Sequence, residues 1–193
     1  EEIPEIPVRF RTDPESFRPY EREPHTLSRP WVVPGTTGLE HRVGGLEKQD
    51  GGGNISYDAL NHETMVRLRA AKVEAVVQDV PDVVPAGDPD GDLLIVGWGS
   101  TYGAITAALR AQREKGRRIG HVHLRHLNPL PRNLGDVIKR YRRVLVPELN
   151  MGQLLWVLRA KYLVDAVGYP KVQGKPFKQS ELESKIDEIL ETP

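Results

Sequence analysis

The run Asp92-Leu93-Leu94-Ile95-Val96-Gly97-Trp98-Gly99 constrains the fold more than any other stretch of the chain. Four consecutive apolar residues leave no polar face, so the strand they form must be covered on both sides. The glycines turn the chain sharply, and Thr101-Tyr102-Gly103-Ala104-Ile105 opens a helix that Gly116 stops. A strand buried on both faces and followed at once by a helix is the repeating unit of a parallel α/β sheet.

The unit recurs. Residues 117–127 form a second strand, broken by Asn128-Pro129-Leu130-Pro131, and residues 132–141 form a short helix. Residues 142–149 make a third strand. Residues 152–168 make a helix with Leu154, Leu155, Leu158 and Leu163 inward and Gly168 near its end. Residues 169–177 hold two prolines, which admit only an edge strand. Residues 178–191 make a last amphipathic helix, with Ser180 as N-cap and Glu183 completing a capping box. The expected fold class is α/β: a mainly parallel open sheet with helices on both faces, over residues 92–193.

Upstream the chain is different in kind. Pro4, Pro7, Pro14, Pro19, Pro24, Pro30 and Pro34 exclude helix interiors and central strands from residues 1–38. Two readings stand: simple disorder, or an extended Pro-rich arm anchored on another surface by Phe10, Phe17, Tyr20 and Trp31. Residues 39–58 contain five glycines and form a Gly-rich loop long enough for a functional or interface role. Its Asp50-Gly51-Gly52-Gly53-Asn54 offers unobstructed backbone N–H groups that can wrap an anion. It lacks the Lys-Ser/Thr ending of a P-loop. Asp58 caps a linking helix over about 59–77, with Met65, Leu68 and Val73 as its apolar stripe. Residues 80–92 are a linker by their prolines and glycines. The expected division is therefore 1–58, arm and loop as the tail of an upstream domain; 59–91, linking helix and linker; and 92–193, the α/β domain.

Composition excludes several chemistries. The absence of cysteine among 193 residues removes disulfides, thiolate catalysis and iron–sulfur ligation from this chain. A formal net charge of zero argues against a broad grip on nucleic acid. No apolar run approaches the roughly 20 residues that span a bilayer, and no signal peptide is visible. The chain opens on Glu1-Glu2-Ile3-Pro4 without methionine, as expected of a piece of a longer protein.

The candidate site residues lie where strands end. Gly97, Gly99, Ser100 and Thr101 form a turn at a helix N-terminus, a place that suits an anion or a neighbour's polar loop; the simpler role, preferred here, is a cap and a close helix–strand contact. The spacing G-x-G-x-x-x-G matches one dinucleotide-binding variant, but the acidic residue expected about 20 positions on is missing. His121, His123, Arg125 and His126 stand there instead. His121 and His123 share a strand face and could bind metal, yet no third ligand is evident, and polar packing or an interface is preferred. After the third strand come Glu148, Asn150 and Gln153, either a fixed turn or part of a site at the carboxyl edge. The turns 97–101 and 148–153 are expected side by side.

In order and spacing, "GLEKQDGGGNISYDALNHETMVRLRAAKV", "LLIVGWGSTYGA", "HLRHLNPLP", "VLVPELNMGQL" and "VQGKPF" resemble the carboxyl-terminal part of the alpha subunit of 2-oxoacid:ferredoxin oxidoreductases, most of all the 2-oxoglutarate type. The resemblance covers about residues 20 to 190. It implies a transketolase C-terminal-like domain in a subunit whose pyrimidine-binding domain lies upstream. It further implies a beta subunit that carries thiamine diphosphate, Mg2+ and a 4Fe–4S cluster, with ferredoxin as acceptor and coenzyme A taking the acyl group. The function implied is oxidative decarboxylation of 2-oxoglutarate to succinyl-CoA by a cytoplasmic heteromer. The chain's own part in it is architectural and site-completing, without nucleic-acid or membrane contact and inactive alone. Arg42 and Arg125 are the candidates from this chain for pairing the substrate's distal carboxylate. The alternatives are a transketolase-like or 2-oxoacid dehydrogenase E1 domain, and a stand-alone nucleotide-binding module.

Overall fold

A computed structural model describes residue 3 and residues 5–191; Glu1, Glu2 and Pro4 of the expected arm and the last two residues of the expected α/β domain lie outside the described residues. The chain divides into two compact units, Glu1–Gln78 and Asp79–Pro193.

The second unit carries a five-stranded sheet: β1 (Ala86–Gly87), β2 (Gly91–Trp98), β3 (Ile119–Leu124), β4 (Tyr141–Glu148) and β5 (Ala166–Pro170), in the order β1-β3-β2-β4-β5. The β3-β2-β4-β5 pairings are all parallel, and β1 runs antiparallel along β3. Leu93, Leu94, Ile95 and Val96 are all 0% exposed, so the central strand is covered on both faces as its unbroken apolar run requires. On one face Leu94, Val96, Val122, Leu124, Val144 and Val146 pack against α3 (Leu134–Ile138) and α4 (Gln153–Tyr162) through Leu134, Val137, Leu154 and Leu158. On the other, Leu93, Ile95, Ile119 and Leu145 pack against α2 (Tyr102–Glu114) and α5 (Gln179–Glu191) through Ile105, Ala108, Leu109, Leu182 and Ile186. Each such Val, Leu or Ile side chain contributes about 1.5–3 kcal/mol by leaving water.

Three local expectations need correction. The helix after β4 does not run to Gly168. It stops at Tyr162, where Leu163 takes φ +51° and its N–H bonds the Arg159 carbonyl at 3.0 Å. Leu163 is 91% exposed rather than inward. The fourth strand is accordingly Ala166–Pro170, paired with Val144–Glu148, not residues 169–177. It is an edge strand, and Gly168 lies in it because a Cβ there would stand 2.6 Å from Leu155 Cδ2 of the helix packed above. At α5, Gln179 and Ser180 are already helical, so Ser180 is no N-cap. Glu181 closes that end instead, accepting from the Lys178 backbone N–H at 2.7 Å and from Lys171 Nζ at 2.6 Å.

Residues 80–91, expected as a linker, pack on the sheet. Val80 is buried, Asn133 exchanges two hydrogen bonds with the Val83 backbone at 2.9 and 2.8 Å, and Ala86–Gly87 adds the antiparallel strand.

In the first unit the arm closes on itself and on the Gly-rich loop. The Arg11 N–H donates to the Trp31 carbonyl at 2.7 Å and the Tyr20 N–H to the Gly51 carbonyl at 3.1 Å. Tyr20 and Leu39 are buried. Gly53, at φ +76°, lets the loop press on Tyr20, whose ring would stand 2.6 Å from a Cβ there. α1 (Ala59–Ala75) begins at Asp58, whose carboxylate accepts the Asn61 N–H at 2.7 Å. Of its expected stripe only Met65 is buried; Val73 is 40% exposed.

Candidate functional site

The carboxyl ends of β2 and β4 lie next to each other because the two strands pair in parallel through Gly91–Ile95 and Tyr141–Leu145. The turns that follow are joined: Trp98 Nε1 donates to Glu148 Oε2 at 3.2 Å. Sequence reading passed over Trp98. The signal was an indole N–H placed between two turn glycines, where a buried donor needs an acceptor.

Glu148 is 0% exposed and accepts four hydrogen bonds. Besides Trp98, Asn150 Nδ2 donates at 3.0 Å and the backbone N–H groups of Leu154 and Leu155 donate at 2.9 Å each. The last two belong to the first turn of α4, where a helix presents unpaired N–H groups and a positive dipole end. Asn150 Oδ1 takes the N–H groups of Gly152 and Gln153 at 2.7 and 3.0 Å, while the Gln153 side chain is exposed. Gly152 sits at φ +93°, a conformation that suits glycine. Glu148 and Asn150 thus build the turn and the start of α4.

At the other turn, Thr101 is buried. Its hydroxyl donates to the Trp98 carbonyl at 2.8 Å and accepts the Trp98 N–H at 3.2 Å, so it is aimed inward. Gly97 is a close contact: a Cβ would meet Ile105 Cδ1 at 2.5 Å and Thr101 Oγ1 at 3.0 Å. Gly99, at φ +59°, and Ser100 face outward with open space at the Gly99 Cα.

The histidines of β3 stand beside this turn. The His121 and His123 ring centroids are 5.8 Å apart, and Tyr102 lies 5.9 and 5.0 Å from them; sequence reading had not marked Tyr102. Burial, with His123 adjacent, pulls the His121 pKa down to about 4. His123 is also lowered, by burial and the Arg125 charge, against a hydrogen bond to the Gly99 backbone. Both rings are therefore neutral near pH 7, and His121 Nε2 and His123 Nδ1 are buried without a partner. Among the described residues no group of three His, Asp or Glu side chains is placed to hold a metal ion. Arg125 is exposed just past β3. Arg42 is an exposed residue of the first unit, its carbonyl accepting the Tyr20 hydroxyl at 3.3 Å. Among the described residues no helix is long and apolar enough to cross a membrane.

This is a mainly parallel α/β sheet whose strand-end turns are built from a glycine pair and a buried glutamate. The architecture is that of the pyruvate:ferredoxin oxidoreductase core domain II, whose family model matches residues 91–167. The chain belongs to the alpha-subunit family of 2-oxoacid:ferredoxin oxidoreductases, as its carboxyl-terminal region. It is 50% identical over 182 residues to the 2-oxoglutarate oxidoreductase subunit KorA of Mycobacterium tuberculosis, covering 93% of this chain and 27% of that protein. It is 32% identical over 151 residues to the alpha subunit of 2-oxoacid:ferredoxin oxidoreductase 1 of Aeropyrum pernix, covering 75% of this chain and 23% of the relative. The structure superposes with a TM-score of 0.83 on the 2-oxoglutarate:ferredoxin oxidoreductase of Magnetococcus marinus, solved with 2-oxoglutarate, coenzyme A and succinyl-CoA bound. That match is 27% identical and covers 91% of this chain and 31% of the other. The chain thus spans about a quarter of the length of the first curated relatives it matches.

Proposed function

We propose that the chain is the architectural, site-completing part of a 2-oxoglutarate:ferredoxin oxidoreductase, a 2-oxoglutarate synthase working as a multi-subunit cytoplasmic complex. Its partners are the upstream domain of the alpha subunit, a beta subunit and ferredoxin. The observation that carries the supporting role is Glu148. A buried carboxylate at the active edge of a parallel sheet is a natural candidate for acid–base work, yet its oxygens are engaged by four donors of the same chain. It holds the turn against β2 and α4 and so keeps the carboxyl edge rigid for whatever docks there.

Thiamine diphosphate, Mg2+ and the 4Fe–4S cluster belong, on this reading, to the partner subunit. The cluster needs thiolates, and the chain has no cysteine to supply them. When bound there, thiamine supplies the carbanion chemistry and the cluster the electron path. The residues of this chain orient and enclose. Gly99, Ser100 and Gln153 are the exposed groups of the two joined turns and the points at which a subunit or the coenzyme A path meets the domain. Arg42 in the first unit and Arg125 in the second, each exposed, are separate candidates for the cation that pairs the distal carboxylate of the substrate.

The test is reconstitution with the upstream domain and the beta subunit, following viologen reduction dependent on coenzyme A. The expected result is faster turnover with 2-oxoglutarate than with pyruvate, and reduced turnover or assembly on Asn150→Ala with the fold intact. Equal or faster turnover with pyruvate refutes the substrate. Full activity and assembly of Asn150→Ala remove that turn from the site. Turnover by this chain alone refutes the supporting role.

A further inference from the structure

The first unit draws five cations around one hollow that holds a single carboxylate. A hollow of about 470 Å³ is lined by Tyr20, Arg22, Arg29, Lys48, Arg69 and Lys72, with Glu47 as its carboxylate. Glu47 is already engaged: Arg69 Nη1 lies 3.1 Å from Oε1 and His62 Nδ1 2.7 Å from Oε2, and these bonds draw its pKa down to about 2. The Lys48 ammonium is buried and bonded only to the carbonyls of Gly44, at 2.8 Å, and Leu46. Arg29 stacks on the Tyr20 ring at 4.3 Å, which fixes its guanidinium plane, yet its Nη1 is buried without a partner. Arg22 gives Nη1 to the Leu27 carbonyl at 3.1 Å, and its Nε is also buried and unpartnered. Burial, Arg29 and Arg69 all lower the Arg22 pKa, with Asp50 opposing.

The chain as a whole is electrically neutral and residues 1–78 hold more Asp and Glu than Lys and Arg, so this concentration is local to the hollow. Buried cationic N–H groups without acceptors cost free energy. Two forked guanidiniums with free donors, beside Lys48 and Lys72 and the Glu47-paired Arg69, match the oxygens of a multiply charged phosphate better than a single carboxylate.

We propose that the hollow framed by Arg22, Arg29, Lys48, Arg69 and Lys72 is a binding site for a diphosphate-type anion. Arg22 Nε and Arg29 Nη1 donate to its oxygens, the Tyr20 ring holds Arg29 in plane, and Lys72, on α1, closes the outer side as a point charge. The site lies in the Glu1–Gln78 unit and uses none of the strand-end residues described above.

Isothermal titration of the full chain with sodium pyrophosphate tests it, with succinate as the dicarboxylate comparison. Saturable one-site binding of pyrophosphate is expected, at least about tenfold tighter than succinate and weakening as salt is raised. Arg29→Gln weakens it about tenfold, as the loss of one charge-assisted bond predicts. Lys72→Ala, on an exposed helix position that leaves folding intact, weakens it several-fold. Arg142→Gln in the other unit leaves it unchanged. Absent saturation, indifference to both Arg29→Gln and Lys72→Ala, equal loss in Arg142→Gln, or succinate binding as tightly as pyrophosphate each overturns the proposal. Competition with coenzyme A separates the sources: displacement of pyrophosphate identifies the anion as that cofactor's phosphates, an attribution that rests on the proposed function. Pyrophosphate binding without displacement supports a separate phosphate ligand and stands even if that function fails.

Discussion

Glu148→Gln isolates the chemistry of the buried strand-end carboxylate. The amide has the same shape but only one acceptor oxygen. Set where Oε2 stands, that oxygen keeps Trp98 Nε1, Asn150 Nδ2 and the Leu154 N–H. The NH2 then confronts the Leu155 N–H, which accepted geometry now leaves donor against donor. The change removes one hydrogen bond to a charged group, about 1.5–3 kcal/mol. It also removes the negative charge from the first turn of α4, a further 0.3–1 kcal/mol or so. A loss of about 2–4 kcal/mol is expected, against a total stability on the order of 5–15 kcal/mol. Urea unfolding followed by far-ultraviolet circular dichroism measures it as a lower midpoint at unchanged slope. Thermal unfolding should fall by roughly 3 °C per kcal/mol for a chain of this size. Glu148→Ala, which orphans all four donors, must cost more than Glu148→Gln. A Glu148→Gln midpoint equal to wild type, or an alanine variant more stable than the glutamine one, would refute the view that these hydrogen bonds hold the edge together.

Three other outcomes follow from the same region. His121 has a folded pKa of about 4 against an unfolded value near 6.5, so the unfolded chain binds the extra proton first; stability is full above pH 6.5 and falls by about 3 kcal/mol as pH drops to about 4. His123, lowered in the same direction, adds to the loss, and urea midpoints measured across that window should flatten markedly in His121→Asn. Gly97→Ala puts a methyl 2.5 Å from Ile105 Cδ1 in a packed core and should destabilise by about 1–3 kcal/mol, read as a fall in melting temperature. Gly103→Ala, in the first turn of α2 with nothing within 4 Å of the new carbon, should be neutral or stabilise by up to about 1 kcal/mol.

What the sequence determined by itself is the α/β layering. The run Leu93–Val96 has no polar face, so it could only be a strand covered on both sides, and it is. Asp58 and Gly116 marked helix ends by local chemistry that needs no tertiary partner: a carboxylate on a first-turn N–H, and a residue free to take φ +81°. The joining of the 97–101 and 148–153 turns was legible too, since neighbouring parallel strands end on the same edge. Tertiary structure decided the rest. Ala166–Pro170 follows the α4 sequence without a strong break, and only pairing with β4 and the closeness of Leu155 to Gly168 make it a strand. Ala86–Gly87 is too short to carry any periodicity and exists because β3 has a free edge. Ser180 and Glu183 form a sound capping box on paper, but Lys171, brought from β5's far end, draws Glu181 into the role and lets the helix begin earlier. The same holds for chemistry. A lone Glu148 reads equally as acid, ligand or cap, and only the four donors that converge on it from β2, the turn and α4 decide that it is a cap.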